Sequence, residues 1–288
     1  MDRRKNFLGE FTGTFLMVLF GCGAVIVSTV FNQYDGILPI AIVWGGAVTL
    51  GIFLTRSLCE AHFNPAVSVG MALIGKLPAS SLPVYLSAQF SGAFAAGLTL
   101  YGLFGGNIRA YEQENGIIRG TVNSMYSAKM FGEYYALPGA AQKASMPVAM
   151  AAEFAGTFIL FFAIVALTDE RNRKAPGSLA APVLIGFTLT SCIALLAPLT
   201  QAGFNPARDF ASRLVALLFG WGSAAFPDTS GGFFWVYMFS PVIGAAVAGL
   251  LYEHAFCPAD EKVRQSKTSG EICMQPVISG GVKSSTMS

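Results

Sequence analysis

The chain has 288 residues, of which 53% are hydrophobic and 12% are Asp, Glu, Lys or Arg, with a formal net charge of +2. An average soluble domain carries about 25% charged residues, so this composition indicates a membrane protein and argues against a soluble fold. The small net charge offers no basic stripe for nucleic acid, and the five cysteines, which lack CxxC spacing, predict neither a disulfide framework nor a metal site.

Apolar segments follow one another along the chain and predict an all-α membrane protein. Each segment is free of Lys and Arg and has about 20 residues, which is the length a helix needs to cross a bilayer core. The six predicted membrane-spanning helices are residues 7–30, 37–55, 82–104, 147–167, 179–200 and 233–256.

The basic residues lie mainly on one side of these predicted helices. With residues 1–6 in the cytoplasm, six spans leave most Lys and Arg side chains there and place the long loop 105–146 outside. This positive-inside distribution predicts a multi-pass protein of the plasma membrane, or of the inner membrane in a bacterium, with both termini cytoplasmic. Residues 257–288 are rich in Ser, Gly, Thr and Lys and are predicted to be a disordered cytoplasmic tail.

The two halves of the chain resemble each other. Residues 9–15 (GEFTGTF) recur as residues 152–158 (AEFAGTF), and Phe63-Asn64-Pro65-Ala66 recurs as Phe204-Asn205-Pro206-Ala207. Because each half has three predicted spans, the second half enters the membrane in the opposite sense, which is typical of transporters and channels. We therefore predict one domain over residues 7–256, made of repeat one (7–104), the outer loop (105–146) and repeat two (147–256).

Each Asn-Pro-Ala motif precedes a short apolar segment, at residues 65–74 and 206–218. These segments are too short to cross a membrane, so we predict two re-entrant half-helices. Asn is a favoured N-cap and Pro suits the first helical position, because its missing N–H would have no intrahelical acceptor there. In an inverted repeat, the two N-termini should meet near the membrane midplane.

Such a meeting of helix ends predicts a pore for neutral polar solutes. Each N-terminus presents roughly half a positive charge, and the Asn64 and Asn205 amides offer hydrogen-bond donors. Carbonyl groups of the unwound approaches supply acceptors, so a neutral solute is conducted and ions are refused. Arg208 lies about one turn beyond Asn205, and we expect it to be an exposed cation that donates to solute and opposes other cations.

Three carboxylates, Glu10, Glu153 and Glu253, fall inside predicted spans, where charge is costly and usually functional. Two of them, Glu10 and Glu153, stand at matching positions of the two repeats. Their symmetric placement favours a structural role, in which each accepts hydrogen bonds from an unwound pore segment. The alternative is that they carry protons in a coupled transporter. For His62 we expect structural hydrogen bonding, and for Asp209 a role in holding the shape of the adjacent loop.

The chain resembles the major intrinsic protein family, and within it the aquaglyceroporin branch that includes bacterial glycerol facilitators. The resemblance implies a homotetramer with one pore per subunit, which passes glycerol and some water passively, excludes protons, is not an enzyme and needs no cofactor. The motifs that carry it are residues 62–67 (HFNPAV), 111–113 (YEQ), 118–120 (IRG), 205–209 (NPARD) and 220–222 (GWG).

The resemblance also implies a selectivity filter formed by Trp44, Ile193, Ala202 and Arg208. Trp44 and Arg208 keep the family pattern, whereas Ile193 stands where glycerol facilitators usually have Gly and Ala202 where they usually have Phe. A similar combination occurs in plant nodulin-like intrinsic proteins. It leaves open a solute range shifted towards uncharged acids, urea or metalloids.

The predicted cytoplasmic mouth holds a further departure, since Cys59-Glu60-Ala61-His62 replaces the family's usual Ser-Gly-Ala-His. Arg56 lies four residues before Glu60, a spacing at which a salt bridge can form across one helical turn. Our hypothesis is that Glu60 and His62 make conduction sensitive to pH, and that Arg56 and Glu60 form a gate.

Overall fold

The computed structural model describes residues 2–139, 144–172, 175–227 and 231–256, so the predicted tail 257–288 lies outside the described residues. Within these ranges the chain is helical and has no strands, which confirms the predicted all-α fold. In chain order the α-helices are α1 (Arg3–Phe31), α2 (Ile37–Thr55), α3 (Pro65–Leu73), α4 (Leu82–Glu114), α5 (Met125–Ala128), α6 (Met146–Thr168), α7 (Gly177–Thr200), α8 (Pro206–Ala216) and α9 (Ser240–Leu251). Short 3₁₀ or π-helical turns lie at Ala79–Ser81, Val122–Ser124, Leu217–Trp221, Gly222–Ala225, Phe234–Phe239 and Tyr252–Phe256.

Five of the described helical segments are long and apolar enough to cross a membrane. Four of them are α1, α2, α6 and α7, and the fifth is the segment Phe234–Phe256, in which π-helical turns flank α9. The bounds of these segments agree closely with the predicted spans.

The remaining predicted span, 82–104, forms the first part of α4 and is long enough but less apolar than the others. Its buried face carries polar groups, among them Gln89 and the Tyr85 hydroxyl. The prediction that a loop begins at residue 105 was wrong, because α4 continues to Glu114. The extra turns are held by the carboxylate of Glu112, which accepts hydrogen bonds from Arg119 and from the Ser127 hydroxyl.

The helices pack as two similar halves. In the first half α1 packs on α2 and α4, and in the second half α6 packs on α7 and α9, while α2 and α7 join the halves. The half-helices cross this division, since α3 packs on α9 and α8 packs on α4. Each half-helix is therefore held by the last long helix of the other repeat.

Glycines of the repeated motif make room for the pore segments. A Cβ atom added at Gly13 would overlap the Phe63 ring, and one added at Gly156 would overlap the Phe204 ring. The two rings are fully buried. The recurrence of Gly in residues 9–15 and 152–158 thus follows from the need to seat one Phe in front of each Asn-Pro-Ala motif.

Candidate functional site

The two Asn-Pro-Ala motifs meet inside the molecule, as the inverted repeat predicts. Asn64 Nδ2 donates to the Phe204 carbonyl at 2.8 Å, and Asn205 Nδ2 donates to the Phe63 carbonyl at 2.8 Å. Each amide has two N–H groups, so the second N–H of Asn64 is left for the lumen, while that of Asn205 lies near Met17 Sδ at 4.0 Å. The reciprocal bonds fix the two half-helix N-termini against each other.

Both half-helices begin with the predicted capping geometry. Asn64 Oδ1 accepts from Ala66 N at 2.9 Å, and Asn205 Oδ1 accepts from Ala207 N and Arg208 N at 3.1 and 3.2 Å. In each helix a proline occupies the first turn. The helices end at residues 73 and 216, one and two residues before the predicted ends.

The segments before each cap have strained backbones. Ala61 and Phe63 in the first repeat, and Gln201, Ala202 and Phe204 in the second, have positive φ angles between 52° and 65° although none is glycine. Such residues cost free energy unless the surrounding structure holds them. A loop of this kind inside a membrane is tolerated only where it lines a cavity or is packed in protein.

Glu10 and Glu153 hold these strained segments. Glu10 accepts from His62 N and Phe63 N, both at 2.8 Å, and Glu153 accepts from Gly203 N at 2.9 Å and Phe204 N at 2.6 Å. Both carboxylates are fully buried. These are the contacts expected for a bracing role, and they leave the carbonyl groups of the same segments as the acceptors available to a solute.

His62 lines the central cavity and is also part of a polar network that includes Ser68, Gln89 and Glu10. Its Nδ1 lies 3.1 Å from Ser68 Oγ, and its ring centroid lies 5.0 Å from that of Tyr85. Gln89 Nε2 donates to both Ser68 Oγ and Glu10 Oε2 at 2.8 Å. The sequence analysis did not single out Gln89, because one polar residue in an apolar segment has no distinctive spacing.

The predicted filter residues surround one end of a central cavity of about 550 Å³. Trp44, Ile193, Ala202 and Arg208 all line this cavity and all are buried. The Arg208 guanidinium carbon lies 4.2 Å from the centroid of the Trp44 ring. Asn64 and Asn205 line the same cavity, so the capping amides and the predicted filter share one path.

The prediction that Arg208 is an exposed cation was wrong, because its guanidinium is buried and forms an ion pair with Glu133. Glu133 lies in the outer loop, outside any recognisable motif, and the sequence analysis missed it. Its backbone N donates to Asp209 Oδ1 at 2.7 Å. Arg213 donates to the carbonyl of Glu133 and, at 2.8 Å, to Asp209 Oδ2. Asp209 thus contacts the outer loop at Glu133.

The predicted salt bridge between Arg56 and Glu60 was also wrong. Helix α2 ends at Thr55, so the two residues do not share a helical turn. Arg56 instead donates to the Ser178 carbonyl at 2.7 Å, and Glu60 N donates to the Tyr85 hydroxyl at 3.3 Å. Both residues line the cavity at its charged end, opposite the filter.

A different ion-pair network, which the sequence analysis missed, lies at this end of the cavity. Asp169 pairs with Lys76 at 3.3 Å and with Arg171 at 2.7 Å, and Arg171 also pairs with Glu253 at 2.5 Å. Hydrogen bonds from Arg171 hold the pKa of the Asp169 carboxyl well below its usual range. The network, which we call the mouth network, joins residues that follow α3, α6 and α9.

These features define a multi-pass membrane protein with two abutting half-helices and a central cavity, and comparisons with known proteins agree. The family model described as major intrinsic protein matches residues 1–252. The chain is 37% identical over 274 residues to a glycerol uptake facilitator protein of Pseudomonas aeruginosa, covering 90% of this chain and 95% of that protein. It is 36% identical over 251 residues to a propanediol uptake facilitator of Citrobacter freundii, covering 86% and 90% of the two chains.

A solved structure shows the same fold. The aquaglyceroporin from Plasmodium falciparum superposes with a TM-score of 0.73 at 28% identity, over 89% of this chain and 98% of that one. The chain belongs to the major intrinsic protein family. This confirms the resemblance stated from the motifs and, with it, the aquaporin-like fold.

Proposed function

We propose that this chain is a passive channel for glycerol and other small neutral solutes, with water as a secondary permeant. The observation that carries the proposal is the reciprocal pair of bonds between each capping Asn and the carbonyl before the other cap. This geometry directs two helix N-termini at one point of the path, where each contributes roughly half a positive charge. Relatives named as glycerol and propanediol uptake facilitators support the same solute class.

The proposed mechanism uses fixed dipoles in place of hydration. A hydroxylated solute exchanges water for a free amide N–H and for carbonyl acceptors along one wall, while Trp44 offers an apolar surface to its carbon atoms. A cation meets two positive helix ends and loses its hydration without compensation. The proposed filter is formed by Trp44, Ile193, Ala202 and Arg208.

The proposed arrangement in the membrane follows the distribution of basic residues. We infer that both termini are cytoplasmic, that the mouth network faces the cytoplasm, and that the loop around Glu133 faces outwards. The proposed channel domain spans residues 7–256, with residues 1–6 and 257–288 as cytoplasmic segments. The exposed apolar side chains of α2 and α7, such as Leu38 and Leu195, fit contact with lipid or with other subunits of a proposed homotetramer.

Two alternatives differ in substrate or in mechanism. In the first alternative, the small side chain of Ala202 leaves space in the proposed filter, and the solutes that pass include uncharged acids, urea or metalloids. A proton-coupled transporter that uses Glu10 and Glu153 is not favoured, because each carboxylate is engaged by two backbone N–H groups of a strained segment. A carboxylate that left these hydrogen bonds to carry a proton would leave the strained segment unsupported.

The test is a stopped-flow measurement with purified protein in liposomes, comparing glycerol, water, urea and boric acid. We expect glycerol flux that is proportional to its gradient and unchanged by a proton uncoupler. Protein-free liposomes provide the control for passage through lipid. Glycerol flux no faster than in protein-free liposomes, or flux abolished by the uncoupler, would contradict the proposal.

A further inference from the structure

We infer that Glu133 determines the specificity for neutral solutes over anions. Its carboxylate cancels the charge of Arg208, so that the proposed filter carries hydrogen-bond donors but no net charge. The inference rests on the proposed function as a channel and adds the property by which that channel refuses anions. The helix N-termini repel cations, but the same positive potential attracts small anions. An unpaired Arg208 beside them would attract anions further.

The ion pair between Arg208 and Glu133 is buried, so the loss of either charge is poorly compensated by water. The Arg208 and Glu133 side chains are 4% and 6% exposed. Breaking a buried pair by removing one partner leaves an uncompensated charge, because little water is available to solvate it. The Arg208 guanidinium therefore depends on the Glu133 carboxylate more than a surface arginine would depend on a neighbour.

The surrounding charges keep this balance. Asp209 and Arg213 form a second buried ion pair directly beside the first. The distance from Arg213 Nε to Asp209 Oδ2 is 2.8 Å. Two acidic and two basic side chains thus alternate, and their formal charges sum to zero. Replacing Glu133 by Gln removes one negative charge and leaves the cluster with a surplus positive charge at the filter.

The loop places the carboxylate through its backbone. Glu133 N donates to Asp209, its carbonyl accepts from Arg213, and the next residue, Tyr134, has its N–H bonded to Gln201 Oε1 at 2.9 Å. The Tyr134 hydroxyl also donates to the Ala224 carbonyl at 2.7 Å. Because none of these contacts uses the Glu133 side chain, a change of that side chain alters the charge with little change in the loop.

Pairing leaves Arg208 able to bind a neutral solute. A guanidinium has five N–H donors, and a single Nη1 contact to Glu133 occupies only part of them. The Trp44 ring packs against the guanidinium, with 4.2 Å between the ring centroid and the guanidinium carbon. A hydroxyl group can therefore accept from Arg208, while an anion meets the adjacent Glu133 carboxylate and is repelled.

The experiment compares nitrate and glycerol fluxes in liposomes containing wild type, Glu133→Gln, Glu133→Asp or Glu114→Gln. Glu114 is an exposed carboxylate at the outer end of α4 and serves as the matched control. We expect Glu133→Gln to raise nitrate permeability by about tenfold or more, because unit charges near 4 Å interact strongly where water is scarce. Glu133→Asp and Glu114→Gln should leave nitrate permeability at the wild-type level.

A double variant separates charge from structure. Glu133→Gln combined with Arg208→Gln restores a neutral pair, and we expect nitrate permeability to return towards wild type. If the single variant does not assemble but the double variant does, the result supports an uncompensated charge as the defect. Unchanged nitrate flux in Glu133→Gln, or failure of both variants to assemble, would overturn the inference. Absence of glycerol flux in wild type would instead contradict the proposed function.

Discussion

At the scale of single residues, Arg208 and Glu133 depend on each other, which gives the first prediction. Removing Arg208 leaves the buried Glu133 carboxylate without its partner, at the end of the cavity where Arg208 now lies. We therefore expect Arg208→Ala to increase sodium flux into liposomes by about tenfold while glycerol flux persists.

The control for this variant is Arg109→Ala, since Arg109 is exposed in the last turns of α4, where its Nη1 lies 3.4 Å from the Tyr101 hydroxyl. It should not change sodium flux. Sodium flux that is equal in Arg208→Ala and wild type would show that Arg208 takes no part in excluding cations.

The second prediction concerns Ala202, which lines the same cavity as Trp44. A phenylalanine at this position adds an aromatic ring to the path. We expect Ala202→Phe to reduce the flux of ribitol about fivefold more than that of glycerol, because the five-carbon polyol is the larger solute and places more of its chain beside the added ring.

Ribitol and glycerol fluxes in liposomes provide the measurement for this variant. Leu103→Phe is the matched control, because Leu103 is 66% exposed on α4. If Ala202→Phe lowers both fluxes by the same factor, the position affects folding or conduction in general and not selection among solutes.

The residues that could be predicted from the sequence are those that occur twice or belong to a motif. Asn64 and Asn205, and likewise Glu10 and Glu153, stand at corresponding positions of the two repeats. Glu133 has no repeat partner and lies in an irregular loop, so only the folded chain brings it to Arg208. The mistaken Arg56–Glu60 pair assumed a helix that continues past Thr55, whereas the chain unwinds there to form the pore segment.

At the scale of helices, Gly13 provides the third prediction. A side chain larger than hydrogen at this position in α1 meets the buried Phe63 ring, which precedes the first half-helix. Overpacking of this kind costs about 1–3 kcal/mol, and here it also displaces a residue of the pore wall. We expect Gly13→Leu to lower the thermal unfolding temperature in detergent and to abolish most glycerol flux.

Gly102→Leu offers a comparison on the neighbouring helix α4, because an added Cβ at Gly102 meets nothing within 4 Å. It should leave the unfolding temperature and the glycerol flux close to wild type. If both substitutions changed the unfolding temperature and the glycerol flux equally, overlap with the Phe63 ring would not be the cause.

Helix boundaries were predicted well where apolar segments ended at charged residues, and poorly where a helix outlasts the membrane. Helix α4 has 33 residues and is about 50 Å long, so it extends beyond the hydrocarbon core. Hydropathy reports only the apolar part of such a helix. The final turns are stabilised by Glu112 with Arg119 and Ser127, which are contacts with a loop that the sequence alone does not position.

At the scale of the whole molecule, the mouth network ties the ends of three helices together, which gives the fourth prediction. Arg171 lowers the pKa of Asp169 in the folded protein, so the stability that the network contributes is fully present above the usual pKa of Asp, about 3.9, and is lost as pH falls from there towards the lower pKa of the folded state. We expect the unfolding temperature of wild type to fall more steeply between about pH 5 and about pH 3 than that of Asp169→Asn.

Asp35→Asn is the control for this pH dependence, because Asp35 is exposed in the connection between α1 and α2. It should follow wild type at each pH. Parallel curves for wild type and Asp169→Asn would mean that the network adds no pH-dependent stability.

Each half-helix packs on a helix of the other repeat, and this has a consequence for the synthesis of the protein. During translation the first repeat emerges before the second, so α3 is made long before α9, the helix on which it packs. The Asn64 amide likewise lacks its acceptor until Phe204 has been made. The first repeat therefore reaches its final shape only after the last transmembrane segment has entered the bilayer, and a chain that ends before residue 240 has an unfinished pore.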